Sequence, residues 1–364
     1  MEKRILILSN HFITLYNFRK ELIKRLVDEG NEVYISMPKA KENEFFSDMG
    51  CKIIETSVDR RGINPISDFK LILNYVKIMK EVKPDIIFSY TIKPNIYGCI
   101  ASNITKNKQV SNITGTGGTF LKKNLVSEIA KFLYKISIKK SYKVFFQNSG
   151  DKEFFVANQM VKDNYDMIPG SGVNLEQFNV IELPSGDDIN FIFMGRVMEL
   201  KGIDQYLEMA EKIKSDYPKT NFYIAGFIEE EKYKSIIEDY HSKGIISYIG
   251  FQKDIKSWIG KCYCTILPSH GGEGIPNVLL ESAAMGRVCI ASKINGSKEA
   301  IDDNVTGYLF ETGSSEDLTN KVKKFVELDN IAKTMMGLAG RKKVECKFDR
   351  QIIVKAYMEE INKI

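Results

Sequence analysis

The 364-residue sequence has no apolar run of the roughly 18 residues that a membrane-spanning helix requires. Its first residues, Met1 to Arg4, lead directly into the apolar stretch Ile5 to Leu8, a pattern typical of a first β-strand and not of a signal peptide. We therefore expect a soluble chain that works in the cytoplasm.

Residues that bind metals are scarce or unsuitably spaced. The chain has three histidines without metal-ligand spacing, no Asp-x-Asp pair and no Cys-x-x-Cys pair. Its six cysteines lie mostly in apolar segments, which favours buried free thiols over disulfides or zinc ligands. The cysteines are Cys51, Cys99, Cys262, Cys264, Cys289 and Cys346. The sequence therefore predicts no metal and no bound cofactor.

Short apolar strands alternate with helical segments along the chain, which predicts an α/β fold with parallel, doubly wound sheets. No Gly-x-Gly-x-x-Gly follows the first strand, which argues against an NAD-dependent enzyme. In the first half we predict a helix at Phe18 to Glu29 and strands at Arg4 to Ser9, Glu32 to Met37, Asp85 to Tyr90, Gln109 to Ile113 and Lys143 to Gln147. In the second half we predict strands at Asn190 to Met194, Asn221 to Ala225, Ile245 to Gly250, Tyr263 to Leu267 and Val288 to Ser292.

The length suits two domains of ordinary size. We place an N-terminal domain at residues 1–178, a linker at 179–189 and a C-terminal domain at 190–347. The linker contains Leu183-Pro-Ser-Gly186 and lacks apolar periodicity, as expected of a connection between domains.

The charge is uneven between the two halves. Residues 1–150 contain 25 Lys plus Arg against 14 Asp plus Glu, a net charge of +11, whereas the remainder, with 27 against 33, is −6. No nucleic-acid-binding motif accompanies the positive charge, so a nucleic acid is not expected as a partner. The segment Lys122 to Lys143 holds seven lysines and one glutamate. Its apolar residues at helical spacing are Leu125, Ile129, Phe132 and Ile136. This basic amphipathic helix fits an anionic membrane surface, and equally a core helix with a lysine-rich solvent face.

Two cations flank a predicted strand-to-helix turn in the second half. The strand ending at Met194 is followed by Gly195-Arg196, and Lys201-Gly202 opens an amphipathic helix. An arginine fork and a lysine point charge beside a helix N-terminus can neutralise a diphosphate. Taken alone, Arg196 would be more typical of a surface ion pair.

Glu273 and Glu281 are eight residues apart, with a predicted helix start between them. Pro276 suits the first helical position, so Glu273 would lie at the helix N-terminus. There one carboxylate acceptor and several amide donors suit a hydroxyl-rich, anionic ligand. The amides are those of Gly274, Ile275 and Asn277. Glu281 follows one helical turn beyond Asn277 on the same face. The pattern predicts a sugar-nucleotide site.

These two segments, in this order, resemble the retaining GT-B glycosyltransferases of family four, whose second domain carries a Gly-Arg turn, a Lys-Gly pair and a Glu-x7-Glu motif. Further positions that fit the family are Pro268, Ser269, Gly296, Glu299, Asn304 and Gly307. The resemblance is strong in the second half and covers the first half in outline. It implies two Rossmann-like domains facing across a cleft, with a final helix, residues 348–364, crossing back to complete the first domain.

The resemblance also implies residue roles. Arg196 and Lys201 would hold the donor diphosphate, Glu273 would contact the donor sugar, and Glu281 would contact the ribose. Phe251 joins this donor-binding set, and Arg196, Lys201 and Glu273 are the catalytic candidates. The loop between Ser269 and Glu273 is one residue longer than the family pattern, which puts the surroundings of His270 outside that pattern.

Acceptor candidates lie in loops of the first half. Tyr16 and Asn17 follow the first strand in a polar, aromatic loop. Arg60 and Arg61 lie in a segment that resembles one in glycan-assembly members of the family, and they fit either an acceptor diphosphate or a surface charge cluster. Gly117 lies in a glycine-rich loop, residues 114–119, that fits either a close ligand approach or a flexible turn.

A histidine that many relatives carry near the donor sugar is absent, because Ile92 occupies its place. Lys93 is the nearest polar substitute, and Asn95 belongs to the same strand end.

The sequence thus predicts a metal-independent, retaining glycosyltransferase. Its donor would be a UDP-hexose or UDP-N-acetylhexosamine, and its acceptor a lipid-diphosphate glycan at the inner face of the cytoplasmic membrane. Two alternatives remain open: an isomerase of similar fold, such as a UDP-sugar 2-epimerase, and a non-catalytic partner of another transferase.

Overall fold

The computed structural model describes residues 2–59, 64–115, 120 and 125–364. The chain forms two compact units. Unit 1 consists of Met1–Ser171 and Arg350–Ile364, and unit 2 consists of Gly172–Asp349. Three predicted acceptor residues, Arg60, Arg61 and Gly117, lie outside the described residues, so their roles stay predictions.

Unit 1 is built on a seven-stranded parallel sheet with strand order β3-β2-β1-β4-β5-β6-β7. Its strands are β1 Arg4–Leu8, β2 Glu32–Met37, β3 Lys52–Glu55, β4 Ile86–Tyr90, β5 Gln109–Ile113, β6 Lys143–Phe146 and β7 Tyr165–Met167. Its helices are α1 Phe12–Phe18, α2 Lys20–Asp28, α3 Glu44–Asp48, α4 Pro65–Val82, α5 Ile92–Thr105, α6 Leu125–Ser137, α7 Ser149–Ala157 and α15 Arg350–Asn362, with 3-10 turns at Lys41–Asn43 and Ile138–Lys140.

Unit 2 is built on a six-stranded parallel sheet with strand order β10-β9-β8-β11-β12-β13. Its strands are β8 Ile189–Met194, β9 Thr220–Ala225, β10 Ser247–Gly250, β11 Cys264–Leu267, β12 Val288–Ser292 and β13 Gly307–Phe310. Its helices are α8 Ile203–Asp216, α9 Tyr233–Ser242, α10 Ile255–Gly260, α11 Asn277–Ala284, α12 Ser297–Ala300, α13 Ser315–Val326 and α14 Asn330–Lys347, with a 3-10 turn at Glu199–Lys201.

Both units therefore have the doubly wound, Rossmann-like architecture that the strand–helix alternation predicts. Each predicted strand is present, and its ends either coincide with the predicted ones or differ by at most two residues. Sequence reasoning missed three strands, β3, β7 and β13, and each lies at an edge of its sheet. Edge strands are short and only half covered, so they lack the continuous apolar run of a central parallel strand.

The helix predicted at Phe18 to Glu29 is interrupted. Helix α1 ends at Phe18 and α2 begins at Lys20, because Arg19 takes a non-helical backbone conformation between them, with φ −138° and ψ 0°. The Arg19 side chain is buried, with its guanidinium carbon 4.8 Å from the ring centroid of Tyr90 and 5.7 Å from that of Tyr357. The basic helix is also shorter than predicted, since α6 ends at Ser137 and Lys143 belongs to β6.

The division between the units falls at Ser171 and not at residue 178. The residues that follow are fixed within unit 2: the Val173 amide donates to the Phe348 carbonyl at 2.9 Å, and Val173 and Phe178 pack into the unit 2 core. The segment predicted as a linker is held by Arg287, whose guanidinium donates to the carbonyls of Ile181 at 2.9 Å and Glu182 at 2.7 Å. Residues 172–189 are therefore an ordered part of unit 2.

Helix α15 packs into the core of unit 1. Its residues Ile353, Val354, Tyr357 and Ile361 join the core cluster that contains Ile5 and Ile7 of β1. Arg350 donates to the Asn17 carbonyl at 3.0 Å and forms an ion pair with Glu21 at 2.7 Å.

Across the part of the chain that the structure describes, no helix combines the length and hydropathy needed to span a membrane. All six cysteines are free thiols, and only Cys346 is exposed. Burial raises the pKa of the Cys262 and Cys289 thiols to about 12, which keeps them protonated and inert at neutral pH.

Candidate active site

The carboxyl ends of β8 and β11 form the switch point of the unit 2 sheet. These two strands are neighbours in the sheet, yet the chain leaves β8 toward β9 on one side and leaves β11 toward β12 on the other. Ligands of open α/β sheets bind in the crevice at this point. The Gly195-Arg196 turn follows β8 and the loop to Glu273 follows β11, so the two predicted motifs flank one crevice.

Lys201 and Glu273 are in direct contact there. The Lys201 ammonium forms an ion pair with the Glu273 carboxylate, and the Ser269 hydroxyl donates to the same carboxylate oxygen at 3.0 Å. Both charged side chains are less than one-fifth exposed. The ion pair joins residues 72 positions apart and gives the site one cation and one anion side by side.

Gly202 explains why the two loops come so close. Its φ is +71°, and a Cβ atom at this position would lie 1.9 Å from the Pro268 carbonyl oxygen. A side chain at residue 202 would therefore push apart the loop with Lys201 and the loop with Ser269.

His270 occupies the additional position in the Ser269 to Glu273 loop. Its amide donates to the Leu200 carbonyl at 2.9 Å, and its Nε2 lies 2.8 Å from Oε1 of Gln205 on α8. The longer loop is thus anchored to the segment around Lys201 and adds a third connection between the two motifs.

Arg196 follows Gly195 directly after β8, and its side chain contacts the loop that follows β9. Its guanidinium is 3.6 Å from the Glu229 carboxylate, and its side chain is half exposed. The Val197 amide donates to the Phe227 carbonyl at 2.8 Å and the Glu229 amide donates to the Val197 carbonyl at 3.0 Å, so the loops after β8 and β9 continue the sheet pairing. Sequence reasoning missed Glu229, because nothing near it in the sequence points to Arg196.

Phe251 stacks on Phe227 at the same edge of the sheet. Their ring centroids are 4.6 Å apart with an interplanar angle of 8°, and both side chains are at least half exposed. Phe227 was not predicted, although a repeated signal marks both residues, since each follows a glycine at the end of a strand. A stacked, exposed aromatic pair offers a flat apolar surface to a planar ligand.

Helix α11 begins at Asn277, one residue later than predicted. Pro276 is its N-cap, with an extended ψ of 115°, and not its first helical residue. The Ile275 side chain is buried in the core of unit 2, so only its backbone is available to a ligand. The Asn277 side-chain amide donates to the Gly172 carbonyl at 3.0 Å. Glu281 lies one turn further along the same helix, as predicted.

The loop and helix after β1 contain two of the unit 1 candidates. Tyr16 belongs to an aromatic cluster, with its ring centroid 5.3 Å from that of Phe12 and 4.9 Å from that of Phe45. Asn17 is exposed, and its carbonyl accepts the hydrogen bond from Arg350. β1 and β4 are the strands at the switch point of the unit 1 sheet, so Tyr16 and Asn17 lie next to that point.

Lys93 and Asn95 follow β4, and their side chains are already occupied. Lys93 forms an ion pair with Asp68 at 2.7 Å, and Tyr97 donates to the same carboxylate at 2.7 Å. Asn95 is fully buried, accepts from Ser89 at 2.7 Å and donates to the Asn112 carbonyl at 2.7 Å. These contacts give Asn95 a role in the core of unit 1 and hold Lys93 against α4.

Family models match both halves of the chain. Residues 176–343 match glycosyl transferases group 1, and residues 4–148 match glycosyl transferase 4-like. The matched regions fall in unit 2 and unit 1 and together span most of the chain. The protein belongs to the GT-B glycosyltransferases, which confirms the family resemblance, the fold class and the enzyme class predicted from its motifs.

Individual relatives and solved structures resemble the chain over nearly its whole length. The chain is 26% identical over 378 residues to the N,N'-diacetylbacillosaminyl-diphospho-undecaprenol alpha-1,3-N-acetylgalactosaminyltransferase of Campylobacter jejuni, with 99% of each chain covered. A glycosyltransferase from Rickettsia africae superimposes with a TM-score of 0.82 at 20% identity, covering 100% of this chain and 98% of that one. HepE from Anabaena, in complex with UDP and glucose, gives a TM-score of 0.81 at 15% identity over 100% of both chains. The two structures share the fold.

Proposed function

We propose that the protein is a retaining glycosyltransferase that moves a hexose or N-acetylhexosamine from a UDP-sugar to a lipid-diphosphate-linked glycan. The contact between Lys201 and Glu273 at the switch point of unit 2 carries the proposal, because it combines a cation for a diphosphate with a carboxylate for sugar hydroxyls. The complex of HepE with UDP supports a uridine donor. The name of the Campylobacter jejuni relative, which matches over its whole length, supports a lipid-diphosphate acceptor.

In the donor site, Lys201 holds Glu273 and the diphosphate together. An ammonium has three N–H donors, so Lys201 can keep its bond to Glu273 and still donate to a phosphate oxygen. Arg196 supplies a second cation, Glu281 binds the ribose hydroxyls, and the Phe227–Phe251 pair stacks on the base. The exposed position and flat face of that aromatic pair fit this last role.

The reaction is a front-face displacement. The acceptor oxygen forms a bond to the anomeric carbon on the side from which the diphosphate departs, and the bond between that carbon and the phosphate oxygen breaks. The proton of the acceptor hydroxyl passes to the departing phosphate. The main catalytic contribution is then the stabilisation of negative charge on the leaving group by Arg196 and Lys201.

The same two cations, with the backbone amides before α11, take the place that a metal ion has in other transferases. The enzyme therefore works without a metal or bound cofactor. Unit 1 binds the acceptor through the loops after β1 and β4, where Tyr16 and Asn17 lie. The positively charged first half keeps the enzyme at the inner face of the cytoplasmic membrane as a peripheral protein.

A substrate panel tests the proposal. Purified enzyme is incubated with a series of UDP-sugars and with undecaprenyl-diphosphate-linked saccharides in detergent, and products are resolved by mass spectrometry and by the anomeric coupling constants in NMR. We expect one α-linked product from one preferred UDP-sugar. A β-linked product would reject retention, and an epimerised UDP-sugar formed without acceptor would identify an isomerase. Absence of both turnover and donor binding in calorimetry would identify a non-catalytic partner.

A further inference from the structure

Helix α6 has a second apolar face, and that face is exposed. The inward residues Ala130 and Tyr134 are buried, and Tyr134 belongs to a core cluster of unit 1. The outward apolar residues are spaced by four, three and four positions, which returns to the same side of a helix. They are between 42% and 76% exposed and comprise Leu125, Ile129, Phe132 and Ile136. The sequence pattern alone did not decide whether these residues face lipid or the protein core. In the structure, the opposite face of the helix packs against the core.

Helix α4 carries a similar stripe that sequence reasoning missed. Ile66, Phe69 and Leu73 are spaced by three and four positions and are between 53% and 69% exposed, whereas Leu71 and Tyr75 face the core. Large apolar side chains at this spacing and exposure are unusual on the surface of a soluble protein, where single exposed apolar residues are normal and stripes mark an interaction surface.

The two stripes belong to helices of the same layer of unit 1. Helices α4, α5 and α6 follow the parallel strands β3, β4 and β5, and residues of all three helices pack into one core cluster. α5 contacts both α4 and α6. At the usual axis separation, α4 and α6 are about 20 Å apart. The α4 stripe lies in the N-terminal half of its helix, toward the carboxyl edge of the sheet, and the α6 stripe runs along the whole length of its helix.

The charges beside the stripes are positive. Lys70 of α4 and Lys135 and Lys140 next to the α6 stripe are exposed. The acidic residues of the same region are engaged by cations, since Asp68 pairs with Lys93 and Glu128 pairs with Lys131. Apolar residues between lysines fit an anionic lipid surface, in which the apolar side chains enter the headgroup boundary and the lysines meet the lipid phosphates.

We propose that α4 and α6 together form a membrane-docking surface, in which the Ile66–Leu73 and Leu125–Ile136 stripes insert into an anionic leaflet. The inference rests on the proposed function, whose acceptor is anchored in that leaflet, and it extends that function by assigning two insertion elements. Two contact lines about 20 Å apart fix the orientation of unit 1 on the membrane, because a single helix would leave it free to roll about the helix axis.

The single tryptophan of the chain makes insertion measurable. In a Trp258→Phe background, Phe69→Trp and Phe132→Trp each place a reporter in one stripe. Met335→Trp is the matched control, because Met335 is 67% exposed in a comparable stripe on α14 of unit 2. With vesicles of phosphatidylcholine and phosphatidylglycerol, we expect a blue shift and quenching by brominated lipid for both stripe reporters and not for the control. A reporter in α4 that stays in water, or a control that inserts equally, overturns the proposal.

Partitioning gives a second measurement. Phe69→Ser with Leu73→Ser on α4, and Ile129→Ser with Phe132→Ser on α6, should each lower partitioning onto these vesicles at least tenfold. Both variants should retain transfer to a lipid-diphosphate acceptor in detergent micelles. Wild-type-like partitioning of the α4 variant overturns the proposal. The proposal is also overturned if the wild type is a dimer in analytical ultracentrifugation and either variant converts it to a monomer. The stripes would then be covered by a second copy of the chain. Vesicle insertion by an enzyme without any transferase activity would instead reject the proposed function and leave the docking surface intact.

Discussion

Lys201 and Arg196 are the two cations that face the leaving group in the proposed reaction. We expect Lys201→Ala and Arg196→Ala each to cost about 2 to 4 kcal/mol of transition-state stabilisation, as when one preorganised electrostatic donor is removed. Steady-state kinetics with the preferred UDP-sugar measures this cost as a loss in kcat/KM.

Lys219→Ala is the matched control for these variants. Lys219 belongs to the same unit and pairs with Asp187, but it precedes β9 and therefore lies at the opposite edge of the sheet. Its variant should keep wild-type kinetics. Turnover within threefold of wild type for both Lys201→Ala and Arg196→Ala would remove these residues from the catalytic assignment.

Gly202 holds the Lys201 loop against the Ser269 loop. Gly202→Ala should destabilise the protein and weaken UDP binding, because its Cβ would lie 1.9 Å from the Pro268 carbonyl oxygen. Gly244→Ala is the control, since Gly244 has a similar φ of +68° but no atom within 4 Å of the added Cβ. Both variants pay about 1 kcal/mol for the left-handed backbone. Thermal unfolding and UDP calorimetry should therefore separate them, and equal effects would contradict the role given to the close contact.

The chemical identity of the candidate site could be predicted from the sequence, but not its internal contacts. Lys201 and Glu273 are recognisable because each belongs to a local motif beside a helix start. Their ion pair, and the Ser269 hydroxyl that supports it, depend on two strand ends meeting in the sheet, which no local pattern encodes. Glu229 was missed for the same reason.

Among the elements, α6 and the 3-10 turn that follows it should respond strongly to a reversal of their charge. Replacing Lys131, Lys135, Lys139 and Lys140 by glutamate should abolish sedimentation with anionic vesicles, since each lysine near the surface contributes on the order of 1 kcal/mol. Binding of the wild type should also weaken as salt rises, because the Debye length is only about 10 Å at 0.1 M.

Donor binding separates this effect from misfolding. The four lysines belong to unit 1, so the variant should bind UDP with wild-type affinity in calorimetry. Wild-type protein that ignores anionic vesicles at low salt would mean that the positive charge of α6 serves another purpose, such as holding the acceptor diphosphate.

Central elements could be predicted well, and surface elements less well. Strands such as β1 and β8 are covered on both faces and have the continuous apolar run that identifies a parallel strand. The short edge strands β3, β7 and β13 have no such run. Helix α6 shows a different limit, because helical spacing identifies an apolar face without saying whether protein or lipid covers it.

For the complete reaction, a chelator should have little effect. In the proposed reaction, the Arg196 and Lys201 cations and the helix α11 N-terminus supply the charge that a metal would otherwise provide. Initial rates with and without excess EDTA test this. Complete loss of turnover in EDTA that magnesium or manganese restores would contradict metal independence.

Removal of residues 350–364 should unfold unit 1 and spare unit 2. The deletion strips four large, buried side chains of α15 from the unit 1 core, at roughly 2 to 5 kcal/mol each. That loss is comparable to the whole stability of a typical domain. Limited proteolysis with mass spectrometry should recover a resistant fragment close to residues 172–349. Equal resistance of both units would contradict the role of α15.

The position of α15 also sets an order of events on the ribosome. Unit 2 is continuous in sequence, so it can fold as soon as residues 172–349 have emerged from the exit tunnel. Unit 1 begins first but lacks the residues that close its core until α15 is translated. The apolar surface of the unit 1 sheet therefore stays exposed while the whole of unit 2 is synthesised. The N-terminal part of this enzyme is translated first and is completed last, which makes it the part most dependent on chaperones during biosynthesis.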